Sequence, residues 1–269
     1  MYSVLLPVDT DVDRARAQAS YTASLAPETR ALEATVLSVR SPEEEGGGAF
    51  EDVEAAVVAA DQLETAGLTV NREVREGEVA REILRAAGDA ESRQIVTGGR
   101  RRSGTATVLL GSTVLDVFLS TERPVTITGP DMAAGGTDRH LLVPVDADRE
   151  RARHQAEFVT TLPEAADTVS ATVLVVFRHQ DYKGAPEHTF EEIDAAVAAA
   201  DRLEDAGIPV TREAVGGEVA PKILAAAEEH GASEVVMGGR KRSGVQKVLM
   251  GSTARDILSS ADRPVTVTG

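Results

Sequence analysis

Leu5-Leu6-Pro7-Val8-Asp9 recurs as Leu142-Val143-Pro144-Val145-Asp146, an offset of 137, and Val96-Thr97-Gly98-Gly99-Arg100 recurs as Val236-Met237-Gly238-Gly239-Arg240, an offset of 140. One unit is therefore carried twice, and the repeat decides the organisation before any local propensity does. The three extra residues fall between these anchors, where Arg40 to Ala49 and Arg178 to Thr189 stop aligning, so that stretch reads as a variable loop. Gly77-Glu78-Val79-Ala80 returns as Gly217-Glu218-Val219-Ala220, and Arg123-Pro124-Val125-Thr126 as Arg263-Pro264-Val265-Thr266. The expected units are 1–129 and 138–269, joined by a Gly/Pro-rich linker at 130–137. A chain of 269 residues has the length for two such domains, each large enough to bury its own core.

Within the first unit, apolar runs at 2–8 and 34–39, the alternating stretch 68–74, and the runs at 94–97 and 124–128 read as strands. Between them, Ala-rich or amphipathic stretches read as helices at about 14–26, 50–66, 78–87 and 112–119, the last with Ser112 as its cap. Strands alternating with helices predict an α/β unit, a doubly wound parallel sheet covered on both faces.

Composition narrows the chemistry. Cysteine is absent, which excludes disulfides, thiolate metal sites, iron–sulfur clusters and a cysteine nucleophile. With 44 acidic against 28 basic residues the formal charge is −16, a surface that repels nucleic acid and anionic membranes. Lysine occurs only at Lys183, Lys222, Lys241 and Lys247, and this acidic, lysine-poor balance resembles that of proteins from salt-accumulating archaea. No apolar run has the ~18 residues of a membrane span, and Met1 to Pro7 has no basic leader, so a soluble, cytoplasmic protein is expected.

In open parallel sheets, ligands settle beyond the carboxyl ends of the strands, where the strand order reverses. That directs attention to Asp9 and Asp146, to Val39 and Val176, and to the long polar insertions Gly98 to Leu110 and Gly238 to Met250. These insertions run into Gly111-Ser112-Thr113 and Gly251-Ser252-Thr253 at the start of a helix, with Arg100 to Arg102 and Arg240 to Arg242 as local cations. Glycines that admit close backbone approach, hydroxyls and a helix N-terminus have the right parts for an anion; they equally make a turn, a cap and a solvated basic triplet.

With Pro-Val-Asp closing the first strand, a glycine loop ending in Gly-Ser-Thr, and a final Arg-Pro-Val-Thr strand, all occurring twice in the same order, the chain resembles the universal stress protein family in tandem form. The resemblance implies two five-stranded parallel sheets of order 3-2-1-4-5, packed as a pseudo-twofold dimer through their last strands. It also implies an adenine nucleotide, ATP or AMP, with or without magnesium. The nucleotide-binding branch carries Gly, two residues, Gly, nine residues, Gly, then Ser or Thr. Gly98, Gly111 and Ser112 match this pattern, as do Gly238, Gly251 and Ser252, but Arg101 and Lys241 stand at the middle glycine. By resemblance Pro7, Asp9, Val39, Thr97 and Thr113 belong to the first site, and Pro144, Asp146, Val176, Met237 and Thr253 to the second.

There is no Gly-x-x-x-x-Gly-Lys-Ser/Thr loop and no Gly-x-Gly-x-x-Gly after the first strand, and no histidine repeats beside Ser112 and Ser252, so neither a conventional NTPase nor a hydrolase triad is expected. His179, Asp181 and His188 share one variable loop, where a polar surface is favoured over a metal site. Two readings stay open. One is a nucleotide-holding sensor or regulator with at most slow ATP hydrolysis. The other is a scaffold that binds protein partners, its cradle closed by Arg101 and Lys241. Association of two tandem chains is compatible with either.

Overall fold

The computed structural model describes residues 1–26, 31–41, 48–101, 108–109, 111–130, 132, 138–178, 188–239 and 251–269, with backbone alone at 100, 101, 108 and 109. The first unit runs β1 (Tyr2–Val8), α1 (Val12–Ser24), β2 (Leu32–Arg40), α2 (Glu54–Thr65), β3 (Thr69–Glu76), α3 (Val79–Asp89), β4 (Gln94–Gly98), the short β5 (Arg100–Arg101) and β6 (Val108–Leu109), α4 (Ser112–Ser120) and β7 (Val125–Thr128). The second runs β8 (Arg139–Pro144), α5 (Arg149–Thr161), α6 (Ala165–Thr168), β9 (Val169–Phe177), α7 (Asp194–Asp205), β10 (Val210–Gly216), α8 (Val219–Glu229), β11 (Glu234–Gly238), α9 (Ser252–Ser260) and β12 (Val265–Thr268).

Ten of these strands form one continuous sheet, in the order β10-β9-β8-β11-β12-β7-β4-β1-β2-β3. In this sheet, pairing is parallel within each unit and antiparallel only at the join, where Thr266 faces Thr126 across β12 and β7. The carboxyl ends of the two sets of strands consequently point to opposite edges of the sheet.

Each central strand is apolar on both faces because both faces are covered. Val4 and Leu6 pack with α1 and α2, while Leu5 packs on the other side with Ile83, Ala86 and Val117 of α3 and α4. Burying one such leucine contributes about 1.5 to 3 kcal/mol. Helices α1 and α2 lie close together because α2 presents Ala55, Ala56, Ala59 and Ala60, all buried; α7 does the same with Ala195, Ala196, Ala199 and Ala200. The edge strands β3 and β10 carry Arg72 and Arg212, each tied to an acidic pair on the preceding helix, Asp61 with Glu64 and Asp201 with Glu204. Charged edges of this kind resist pairing with another sheet.

Two sequence expectations need correction. The helix predicted across 50–66 is broken: Phe50–Asp52 forms a separate 3-10 turn, Val53 is extended with φ −107° and ψ 93°, and α2 starts at Glu54. Phe50 is buried and anchors the turn against the core, which a continuous helical period does not reveal. Ser112 is not a cap; Gly111 takes that place, no side chain caps the helix, and Ser112 is its first residue, as Ser252 is after Gly251. Most of the linker, and the variable loop at 42–47 and 179–187 with His179 and Asp181, lie outside the described residues.

Candidate functional site

Strand β1 pairs with β4 only at Val4 with Gln94 and Leu5 with Ile95, after which the two strands part. This is the reversal point of the sheet, since β2 and β3 lie to one side of β1 and β4 and β7 to the other. Past this point the carbonyls of Pro7 and Val96 need another donor. Pro7 has no N–H to leave unsatisfied, and Gln18 on α1 repairs the remainder: its amide donates to Pro7 O at 2.9 Å and to Val96 O at 2.8 Å. The second unit repeats the device, with Gln155 donating to Pro144 O at 2.8 Å and Val236 O at 2.9 Å.

The wedge held open by each glutamine is a cleft, about 330 Å³ in the first unit and about 290 Å³ in the second. Pro7, Asp9, Val39, Thr97, Gly98, Gly111, Ser112 and Thr113 all line the first. Pro144, Asp146, Val176, Met237, Gly238, Gly251, Ser252 and Thr253 all line the second. Every expected residue whose side chain is described thus borders the cleft of its own copy. Arg101 enters the description through its backbone, which pairs with Val108 in the β5–β6 hairpin, and Lys241 lies outside the described residues.

Asp9 does more than face the cleft. Its Oδ1 accepts the Asp11 amide at 3.0 Å, and its Oδ2 accepts Arg14 Nη2 at 2.5 Å. Asp11 caps α1 through the Arg14 amide and also holds Arg14 Nη1 at 2.9 Å. Arg151 sits likewise between Asp146 and Asp148. Each guanidinium is mostly buried at the cleft wall and clamped by two carboxylates, so the floor of the site is a fixed cation–anion cluster and not a lone acid. Gly98 is glycine because of this cluster: a Cβ there would come within 3.0 Å of Arg14 Cβ, and one on Gly238 within 2.8 Å of Arg151 Cβ. At Gly111, by contrast, a Cβ would meet no atom within 4 Å among the described residues.

Sequence reasoning missed Arg14, Gln18, Arg151 and Gln155. A signal existed: Arg and Gln four residues apart follow the strand-end aspartate at the same distance in both copies. It also missed an asymmetry. Phe118 of α4 lines the cleft of the second unit, near Gly239, whereas its counterpart Leu258 does not line the first.

Among the described residues no cluster of three His, Asp or Glu side chains could hold a metal ion, and no helix is long and apolar enough to cross a membrane. Fold and clefts together define a pair of fused, doubly wound α/β domains, each with a ligand-sized cleft at its switch point. Comparison with known proteins then gives the family: the universal stress protein model matches residues 1–129 and again 138–269, and the chain belongs to the universal stress protein family. A universal stress protein of Mycolicibacterium smegmatis is 31% identical over 244 residues, 87% of this chain and 79% of that protein. The crystal structure of a universal stress protein from Archaeoglobus fulgidus DSM 4304 superposes with a TM-score of 0.74 at 23% identity, covering 99% of this chain and 97% of the other. A putative universal stress protein from Pseudomonas aeruginosa UCBPP-PA14 gives 0.67 at 18% identity over 100% and 93%. These two structures share the fold.

Proposed function

We propose that the protein is a cytoplasmic stress-response sensor or regulator that holds an adenine nucleotide, ATP or AMP, in each cleft. The observation that carries this reading is that the described residues expected to bind nucleotide line one cleft per copy, although they come from four separate elements. Volumes of about 330 and 290 Å³ lie at the small end of ligand sites, enough for the nucleoside, with phosphates directed to Gly111–Thr113 and Gly251–Thr253. Space around Gly111 supports the same reading, because among the described residues no atom demands a glycine there. Val39 and Val176 offer apolar walls for a base.

A second reading, a scaffold for protein partners, is favoured by one feature: residues 100–101 pair with 108–109 as a hairpin at the point where the nucleotide-binding pattern has its middle glycine. Calorimetric titration of ATP and AMP, in molar KCl and in moderate salt, separates the two. Two saturable sites are expected, each abolished on its own by filling the apolar wall with Val39→Trp or Val176→Trp. Absence of heat and of any thermal shift in both salts would leave the scaffold reading.

A further inference from the structure

Where the two units meet, equivalent positions carry different chemistry. Tyr2, Tyr21 and Gln94 of the first unit correspond to Arg139, Phe158 and Glu234 of the second, while Thr126 and Thr266 are alike. All eight side chains are buried, and seven of them form one polar network across the β7–β12 join. Glu234 Oε2 accepts Arg139 Nη2 at 2.5 Å and, from the other unit, the Tyr21 hydroxyl at 3.1 Å. Its Oε1 accepts the Thr266 hydroxyl at 2.5 Å. Gln94 Nε2 lies 3.0 Å from the Tyr21 oxygen and 2.6 Å from Thr126 Oγ1, and Gln94 Oε1 accepts the Tyr2 hydroxyl at 3.0 Å.

These contacts fix the direction of every hydrogen. A carboxylate only accepts, so the Thr266 hydrogen is committed to Glu234, and Thr126, which touches Thr266, must donate to it. Thr126 in turn accepts from Gln94. Tyr21 accepts from Gln94 and donates to Glu234. Both hydrogen paths run from the amide of the first unit to the carboxylate of the second, and Arg139, stacked 5.8 Å over the Tyr21 ring, balances the charge at the receiving end. Burial pulls the pKa of the Arg139 guanidinium down, but the charge and hydrogen bond of Glu234, together with Tyr21 and Tyr2, more than offset it and keep Arg139 protonated.

Like halves cannot repeat this arrangement. Two copies of the second face would bring two threonines together with both hydrogens already committed, so oxygen would face oxygen, and Phe158 would replace the hydroxyl that Tyr21 supplies. Two copies of the first face would leave one threonine hydrogen without an acceptor and no carboxylate for either Tyr21. Leaving buried polar groups unsatisfied is costly, which is how a polar network confers specificity. We infer that this join is a one-way hydrogen-bond lock whose fitting partner is the unlike half of this chain, and that it is closed to pairing of either half with its own kind.

The full-length chain tests this, because the linker keeps the two faces opposed whatever their chemistry. Gln94→Glu sets acceptor against acceptor, as in second-with-second pairing, and Glu234→Gln sets donor against donor. The double variant Gln94→Glu/Glu234→Gln reverses the direction of the lock. Unfolding is followed by tyrosine fluorescence, to which Tyr2 and Tyr21, two of the three tyrosines, contribute in a chain without tryptophan. Each single variant is expected to lower the midpoint by about 6 °C or more. The double variant is expected to recover at least half of the summed loss. Losses that simply add would overturn the lock. Should a charge variant not fold, Tyr21→Phe is the milder probe: an unchanged midpoint overturns the inference, and a lowered midpoint that falls no further on adding Thr126→Val, which breaks the parallel path, overturns it as well.

Discussion

Replacing Gln18 by leucine tests the account of how the first cleft is held open. The substitution keeps side-chain volume nearly constant and removes the two donor hydrogens that satisfy Pro7 O and Val96 O at 2.9 and 2.8 Å. A buried acceptor that loses a neutral hydrogen bond costs about 1 to 3 kcal/mol, and under-satisfied carbonyls sit at the lower end of that range. Two of them cost about 2 to 3 kcal/mol, of which the added apolar burial of leucine returns under about 1 kcal/mol. The net loss of about 2 kcal/mol corresponds to a midpoint lower by about 4 to 8 °C in a chain of this size. Gln18→Glu should fall further, because it places carboxylate oxygens against two carbonyls. Circular dichroism melts or urea titrations of both variants, with Gln155→Leu as the matched change in the second unit, supply the measurement. A wild-type midpoint for Gln18→Leu, or a Gln18→Glu variant more stable than Gln18→Leu, would refute the bridging role.

The clefts should also respond differently to remote changes. Phe118→Leu installs in α4 the residue that α9 carries at the matching position; roughly threefold weaker nucleotide binding in the second cleft, with the first unchanged, is expected in calorimetry on the Val39→Trp and Val176→Trp backgrounds. For pH, His140 is the group to watch. It is half-buried, held by the hydroxyls of Ser170 at 2.8 Å and Thr172 at 2.9 Å, and stacked against His230, whose Nε2 is 2.5 Å from Glu213. Burial, and then the neighbouring His230, lowers its pKa below the ordinary 6.5. The unfolded chain therefore takes up a proton first, so this contribution to stability is full above pH 6.5 and is lost as the pH falls below it. His140→Ser, which copies Ser3 of the first unit, should flatten that part of the urea-midpoint profile; an identical profile for variant and wild type would show that His140 is not responsible.

How much of this was legible in the sequence depends on whether a residue acts within its own repeat. Pro7, Asp9, Gly98 and Gly111 could be placed because a strand end, a glycine loop and a helix start fix their position along the chain, and the repeat presented each of them twice. Gln18 and Arg14 were legible in principle, as a repeated pair four residues apart, but nothing along the chain says that β1 and β4 part after Leu5 and need a bridge. Phe118 and the Tyr21–Glu234 contact lie between repeats. Their partners are set by the antiparallel join of β7 and β12, and here the informative signal was where the copies differ, an acid at Glu234 opening an otherwise apolar strand, rather than where they agree. Phe50 misled for a related reason: its burial satisfies helical spacing, yet it serves as the anchor of a separate turn.

Because the strands of the two units run in opposite directions through one sheet, the two clefts open at opposite edges of the molecule. Helix α4 nevertheless borders both, with Ser112 and Thr113 lining the first cleft and Phe118 the second. An occupant of either cleft therefore rests against the same short helix, by its first turn on one side and by Phe118 on the other.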